Sequence, residues 1–217
     1  MPNRLIIFLK VLVHIACLAP VAWLVWSFWR ASTSTPDALG ADPIAFVTFF
    51  TGKGTLRLLV TSLAITPIRR FIPKLSWLIR FRRMLGLYAF FYACLHLTTY
   101  VWLYSSFSLS AMVNDIARRR FITAGVTAWL LLVPLALTST TWSIRKLGGQ
   151  RWSALHRLVY VSAIAGVVHY WWGVKSGVRT PFAITVVLAI LLLARPLSSY
   201  ISKVSKSRTA KTQPAQL

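Results

Sequence analysis

Six long apolar runs, separated by short polar segments, dominate the chain. A helix rising about 1.5 Å per residue needs roughly 17 to 25 apolar residues to cross a hydrocarbon core. The runs therefore predict an all-α membrane protein, a six-helix transmembrane bundle. Its spans are Leu5–Trp29, Ile44–Ile65, Met84–Tyr104, Phe121–Leu137, Ser153–Trp172 and Pro181–Leu197. Polar interruptions make the second span the least regular, and a shorter span from Thr55 is the alternative. The interrupting residues are Gly52, Lys53, Gly54 and Arg57.

The distribution of basic residues predicts the orientation of this bundle. The N-terminal turn, the Pro67–Arg83 loop, the Ser139–Arg157 region and the segment from Arg195 hold 17 of the 25 Lys and Arg residues. These segments all lie on one side of the predicted bundle, so the positive-inside rule places both termini in the cytoplasm. Arg118–Arg120 then forms a basic cluster on the outer side, which we interpret as the snorkelling start of a helix.

Composition excludes a soluble domain. Of the 217 residues, 57% are hydrophobic and 13% are charged, and the mean hydropathy is +0.65. The formal net charge is +22, and the basic residues lie in the segments between the apolar spans. Contact with lipid headgroups therefore explains this charge better than nucleic-acid binding does. We expect one transmembrane domain at residues 1–200 and a polar, basic, disordered cytoplasmic tail at 201–217. The composition fits a protein that crosses a membrane several times.

Histidines inside the apolar spans are the candidate chemistry. Counted from the cytoplasmic ends, His156 lies about 5 Å deep, His14 about 14 Å, His96 about 18 Å and His169 about 24 Å. His96 and His169 differ by about one helical turn, so they are the best pair of axial ligands for one haem iron. His156 would belong to a second, inner site with an unclear partner, for which His14 is a weak candidate. One haem and two haems both remain open, and a lone histidine can also simply hydrogen-bond another helix.

The other side chains limit the chemistry further. Cys17 and Cys94 belong to no CxxCH pattern, so a non-covalent b-type haem is favoured. No Gly-rich nucleotide loop, Ser-His-Asp set or carboxylate pair is present, and we expect no catalytic residues in this chain. Basic loop residues are candidates for contacts with haem propionates or a flavin. The best placed are Arg82, Arg83, Arg151 and Arg157.

Several ordered motifs resemble the MsrQ family, also called YedZ. They are Leu63–Arg70, Arg82–Leu87, Tyr92–Leu97 with Tyr100, Pro134–Ser139 and Trp152–Tyr160. The second-helix motif LxxTPLRR has Ile68 where the family usually has leucine. The similarity covers roughly residues 5 to 200, and it implies the ferric reductase-like transmembrane fold.

The resemblance also implies a function. Such proteins are b-type haem subunits of the MsrPQ methionine sulfoxide reductase system, and the family's haem ligands correspond to His96, His156 and His169. They pass electrons to MsrP, a periplasmic molybdopterin enzyme that repairs oxidised methionine. The donor is a cytosolic flavin reductase, with FMN bound, or quinol. The alternatives are a self-sufficient ferric or quinone reductase and a haem-binding protein without redox turnover.

Overall fold

The computed structural model describes residues 2–174 and 177–212, and for residues 36, 37 and 198–212 it describes the backbone only. The described chain is helical throughout, which confirms the all-α prediction. Its α-helices are α1 Asn3–Thr33, α2 Pro43–Phe71, α3 Ile79–Thr99, α4 Leu109–Arg118, α5 Arg120–Leu137, α6 Thr141–Leu147, α7 Gly149–Leu155, α8 Leu158–Gly173 and α9 Arg179–Thr212. Short 3-10 turns at Pro36–Leu39 and Pro73–Leu78 and a π-helical turn at Tyr100–Tyr104 complete the order.

Five helical segments in the described residues are long and apolar enough to cross a membrane. They are Asn3–Thr33, Pro43–Phe71, Pro73–Tyr104, Arg120–Leu137 and Arg179–Leu197. The second of them runs unbroken through Gly52 and Gly54, so no break in the helix separates Thr55 from the residues before it. Helix α9 continues to Thr212, past the predicted end of the sixth span, while residues 213–217 of the predicted tail lie outside the described residues. Disorder of that tail stays a prediction.

The predicted span Ser153–Trp172 is not one helix. It is divided into α7 and the 16-residue α8 by a turn at His156 and Arg157. At this turn the backbone changes to i→i−3 hydrogen bonds, from Arg157 N–H to the Ala154 carbonyl and from Tyr160 N–H to the Arg157 carbonyl. The side chain of His156 is meanwhile bonded to Thr138 at the end of α5. The uninterrupted part of the helix, α8, therefore begins after this anchored residue.

Helices α2, α3, α5, α8 and α9 share one apolar core. Leu63 on α2 is 1% exposed, and Ala89 on α3 and Ala163 on α8 are 0% exposed. Because lipid tails are as apolar as leucine, helices in a membrane associate through close packing, which small residues such as these alanines permit. The close packing fixes the positions of the side chains that the core helices carry.

Helix α1 packs against α2 and α3 outside this core, through long side chains. Trp23 packs against Phe46 and Phe50 of α2 at centroid distances of 6.0 and 5.6 Å. Nearer the start of α1, the main-chain carbonyl of Cys17 accepts a hydrogen bond from the Tyr92 hydroxyl of α3 at 2.9 Å. These contacts fasten α1 to the side of the bundle rather than inserting it into the core.

Candidate functional site

His96 and His169 meet inside the bundle. His96 comes from α3 and His169 from α8, and their ring centroids lie 5.8 Å apart with an angle of 76° between the rings. Two imidazoles that bind one iron from opposite sides, each through a metal–nitrogen bond of about 2 Å, hold their centroids roughly 6 Å apart. The two predicted partners therefore lie at the separation that a shared metal ion requires.

Main-chain carbonyls fix the orientation of both rings. The Nδ1 of His96 lies 3.0 Å from the Thr48 carbonyl oxygen, and the Nδ1 of His169 lies 2.6 Å from the Phe121 carbonyl oxygen. A carbonyl oxygen can only accept, so each Nδ1 must carry the proton and donate it. The lone pair of each neutral ring is then on Nε2, which makes no hydrogen bond within the described residues. Metal-binding histidines ordinarily donate their other ring N–H to a carbonyl or a carboxylate in the same way.

Two glycines make room for these rings. A Cβ atom on Gly125 of α5 would stand 2.7 Å from the His169 Nδ1, and one on Gly52 of α2 would stand 3.1 Å from the His96 Cε1. Each imidazole thus lies against bare backbone of the neighbouring helix. Gly52, which interrupts the apolar pattern of the second span, is explained by this close approach. Because neither glycine has a side chain, the two rings can occupy these positions without a steric clash.

The donor set fits a haem better than a bare metal ion. In the residues that the structure describes, no group of three or more His, Cys, Asp or Glu side chains is placed to hold a metal. A structural zinc ion takes about four protein ligands, whereas the porphyrin itself supplies the in-plane nitrogens of a haem iron. A haem therefore needs only axial ligands from the protein. Two histidines with free Nε2 atoms supply such a pair.

His156 lies at the opposite end of the bundle from this pair. Its Nε2 is 3.1 Å from the Thr138 hydroxyl oxygen, and its ring stacks on Trp152 at a centroid distance of 3.9 Å. The Thr138 hydroxyl already donates to the Pro134 carbonyl at 2.6 Å, so it accepts the Nε2 proton of His156. His156 is therefore the other tautomer, with its lone pair on Nδ1. The ring differs in this respect from His96 and His169.

The remaining predicted residues lie apart from the histidine pair. The Nδ1 of His14 is 2.5 Å from the Tyr88 hydroxyl, and within the described residues His14 contacts no other histidine. Arg82 is half-buried and within electrostatic range of His156. The other three predicted arginines are exposed, namely Arg83, Arg151 and Arg157. None of these four arginines has a carboxylate partner among the side chains that are described.

Sequence reasoning missed Gly125 and the two carbonyl partners. A glycine inside an apolar span is a usable signal for close helix approach, and Gly125 stands in the fourth predicted span. The carbonyls of Thr48 and Phe121 give no such signal, because every residue has a carbonyl group. Only the packing of α2 on α3 and of α5 on α8 selects them.

Comparison with known proteins identifies the family of this chain. Residues 46–167 match the family described as ferric reductase like transmembrane component. A protein of Xanthomonas campestris pv. campestris is 46% identical over 210 residues, which cover 97% of this chain and 95% of the relative. One from Herminiimonas arsenicoxydans is 48% identical over 190 residues, 86% of this chain and 84% of the relative. Both relatives are named protein-methionine-sulfoxide reductase heme-binding subunit MsrQ. With this identity over nearly its whole length, the chain belongs to the MsrQ family of the ferric reductase like transmembrane proteins.

Proposed function

We propose that this chain binds a b-type haem between His96 and His169 and carries electrons across the bacterial inner membrane to a periplasmic methionine sulfoxide reductase, MsrP. The observation that carries the proposal is the pair of imidazoles 5.8 Å apart, each donating its Nδ1 proton to a main-chain carbonyl. The names of the relatives, which describe heme-binding subunits of a methionine sulfoxide reductase, support the same assignment.

In this proposal a bound haem supplies reversible one-electron transfer. The protein's contribution is to hold both rings as neutral Nδ1–H tautomers, through the carbonyls of Thr48 and Phe121. The surrounding spans keep water away from the site, and Gly52 and Gly125 leave space beside each ring. The free thiols in the described residues, Cys17 and Cys94, lie within the helical spans α1 and α3, so we assign sulfoxide reduction to the partner.

The orientation follows from the charge distribution. Helix α8 has 16 residues, about 24 Å of helix, which approaches the roughly 30 Å of a hydrocarbon core. We therefore propose α8 as a sixth span, shortened because the turn at His156 and Arg157 lies at the membrane interface. Both termini and the basic loops then lie in the cytoplasm. In this orientation the His96 and His169 pair is in the outer half of the membrane.

The inner end is the proposed electron entrance. His156 and the half-buried Arg82 lie there, together with the exposed Arg83, Arg151 and Arg157. These cations suit docking of a flavin reductase, binding of FMN, contacts with haem propionates or approach of a quinol. A second haem at His156 would need coordination through Nδ1 or release of the Thr138 bond. We expect His156 to lie on the electron path in either case.

Histidine variants test the haem site. We expect His96→Ala and His169→Ala each to lose the low-spin haem absorbance of the purified protein, because each removes one of the two axial ligands. His14→Ala is the control, since His14 contacts Tyr88 instead of the pair. The measurement is the pyridine haemochrome spectrum per mole of protein. Full haem content in the His169 variant would contradict the pairing.

Reoxidation from the outside tests the electron path. In spheroplasts whose cytochrome has been reduced by a cytosolic flavin reductase, oxidised MsrP and methionine sulfoxide added outside should restore the oxidised spectrum. Ferric citrate or a soluble quinone without MsrP should act much more slowly. Fast reoxidation by these small acceptors would favour a self-sufficient reductase, and an unchanged spectrum with every acceptor would favour haem binding without turnover.

A further inference from the structure

A groove runs along the exposed side of α5 and α8, which faces lipid in the orientation proposed above, outside the proposed haem site. It has a volume of about 440 Å³ and is open to the surroundings. Arg120 and Trp172 line one end, at the start of α5 and the end of α8, and Thr127 and Val161 lie further along the same helices. From Trp172 to Val161, α8 advances roughly 16 Å. The groove therefore reaches from the membrane surface well into the hydrocarbon depth.

The walls of this groove present apolar groups. Ile164 and Val168 of α8 contribute aliphatic side chains. On α5, the Thr127 hydroxyl donates to the Thr123 carbonyl at 2.8 Å, and the Thr123 hydroxyl donates to the Ile116 carbonyl at 2.5 Å. With their hydroxyls used by the main chain, the threonines offer mainly methyl groups. A hydrocarbon chain is the occupant that suits such a surface in a membrane.

The open end of the groove is strongly basic. Arg118, Arg119 and Arg120 are consecutive and exposed. Arg119 forms an ion pair with Asp115 at 3.0 Å, whereas no described carboxylate pairs with Arg118 or Arg120. The Asp42 carboxylate caps α2 by accepting from Ala45 N–H. Two cations are thus left at the level where phosphate headgroups lie, and exposed arginines bind phosphate through paired N–H groups.

We propose that this groove is a binding site for an anionic phospholipid, with one acyl chain lying between α5 and α8 and the phosphate bound by Arg120 and Arg118. The site gives a binding role to the basic cluster Arg118–Arg120, which the positive-inside rule places on the outer side and which snorkelling alone leaves without a ligand. It is separate from the proposed haem site, and it does not depend on that site being occupied. The two are neighbours, however, because Val168 of the groove precedes His169 directly in α8.

Lipid retention by the purified holoprotein tests this proposal. The delipidated protein would be incubated with equal amounts of phosphatidylglycerol and phosphatidylcholine of identical chain length, and native mass spectrometry would count the bound molecules of each. We expect one tightly retained phosphatidylglycerol. Arg120→Gln should lower its retention about fivefold relative to phosphatidylcholine, since one cation near an anionic surface contributes about that factor.

A second variant tests the groove independently of charge. Ala165 lines the groove, and Ala165→Leu should fill it and reduce retention of both lipids. The matched controls are Ala183→Leu on the exposed face of α9 and Arg145→Gln on α6, both outside the groove. Each should retain phosphatidylglycerol as the wild type does, and an unchanged Soret spectrum would show that every variant is folded.

Three results would overturn the proposal. One is wild-type retention of phosphatidylglycerol in both Arg120→Gln and Ala165→Leu. Another is equal retention of the two lipids by the wild type, which would indicate ordinary boundary lipid. The third is a co-purifying mass of an isoprenoid quinone, or a dimer mass lost in Ala165→Leu, which would assign the groove to a different occupant.

Discussion

Replacing Gly125 with alanine tests the geometry around His169 directly. The new Cβ would stand 2.7 Å from the Nδ1 and 2.8 Å from the Cε1 of the imidazole ring. Real Cβ atoms do not approach so closely, so the ring must move. Its movement would break the 2.6 Å hydrogen bond from Nδ1 to the Phe121 carbonyl. The iron-binding nitrogen would then lose its fixed orientation.

The Gly125→Ala substitution acts in opposite directions on haem affinity and on the intrinsic stability of the helix. Loss of the hydrogen-bond partner of a metal-binding histidine typically lowers metal affinity about 10- to 100-fold, which corresponds to roughly 1.4 to 2.7 kcal/mol. Alanine in place of glycine inside a helix, by contrast, favours the helix by about 0.5 to 1 kcal/mol. Gly125→Ala should therefore release haem more readily, and the gain in helix propensity should offset only part of the packing cost of the displaced ring, about 1 to 3 kcal/mol.

The chain supplies a graded set of controls for this experiment. A Cβ on Gly52 would lie 3.1 Å from the His96 ring, and one on Gly86 would lie 3.7 Å from the Ser62 hydroxyl oxygen. The measurement is the rate of haem transfer to excess apomyoglobin from detergent-solubilised protein, with circular dichroism melting as the second readout. We expect fast transfer for Gly125→Ala, intermediate transfer for Gly52→Ala and wild-type transfer for Gly86→Ala. Equal rates for all three variants would refute the reasoning.

Three further predictions concern other parts of the molecule. Acid–acetone should extract all the haem, because neither Cys17 nor Cys94 lies in an attachment motif; chromophore left on the chain would contradict this. Gly54→Val should displace the Tyr92 ring, because a Cβ atom at position 54 would lie 2.6 Å from that ring. It should lower the melting temperature more than Tyr92→Phe, which loses only one hydrogen bond worth about 1 kcal/mol. His156→Ala should slow reduction by a cytosolic flavin reductase while leaving the outer haem absorbance in place, and an unchanged rate would remove His156 from the path.

The length and apolar composition of the runs were sufficient to predict the class and most of the helices. A membrane-spanning backbone must satisfy its hydrogen bonds internally, so long apolar runs have few structures available to them. The division at His156 escaped this reasoning. Ser153–Trp172 is apolar enough to suggest one helix, yet the side-chain bond to Thr138 on another helix accompanies a turn there. Hydropathy contains no information about such a contact.

For the site, the sequence by itself determined which side chains were available and which two histidines were matched in approximate depth. Helical rise is nearly constant, so depth can be counted along the chain. Only the tertiary structure decided that the two rings meet at 5.8 Å and that the carbonyls of Thr48 and Phe121 set their tautomers. Helix rotation and lateral packing decide those contacts, and they depend on residues distant in sequence, such as Gly125. A count along one helix cannot supply the position of its neighbour.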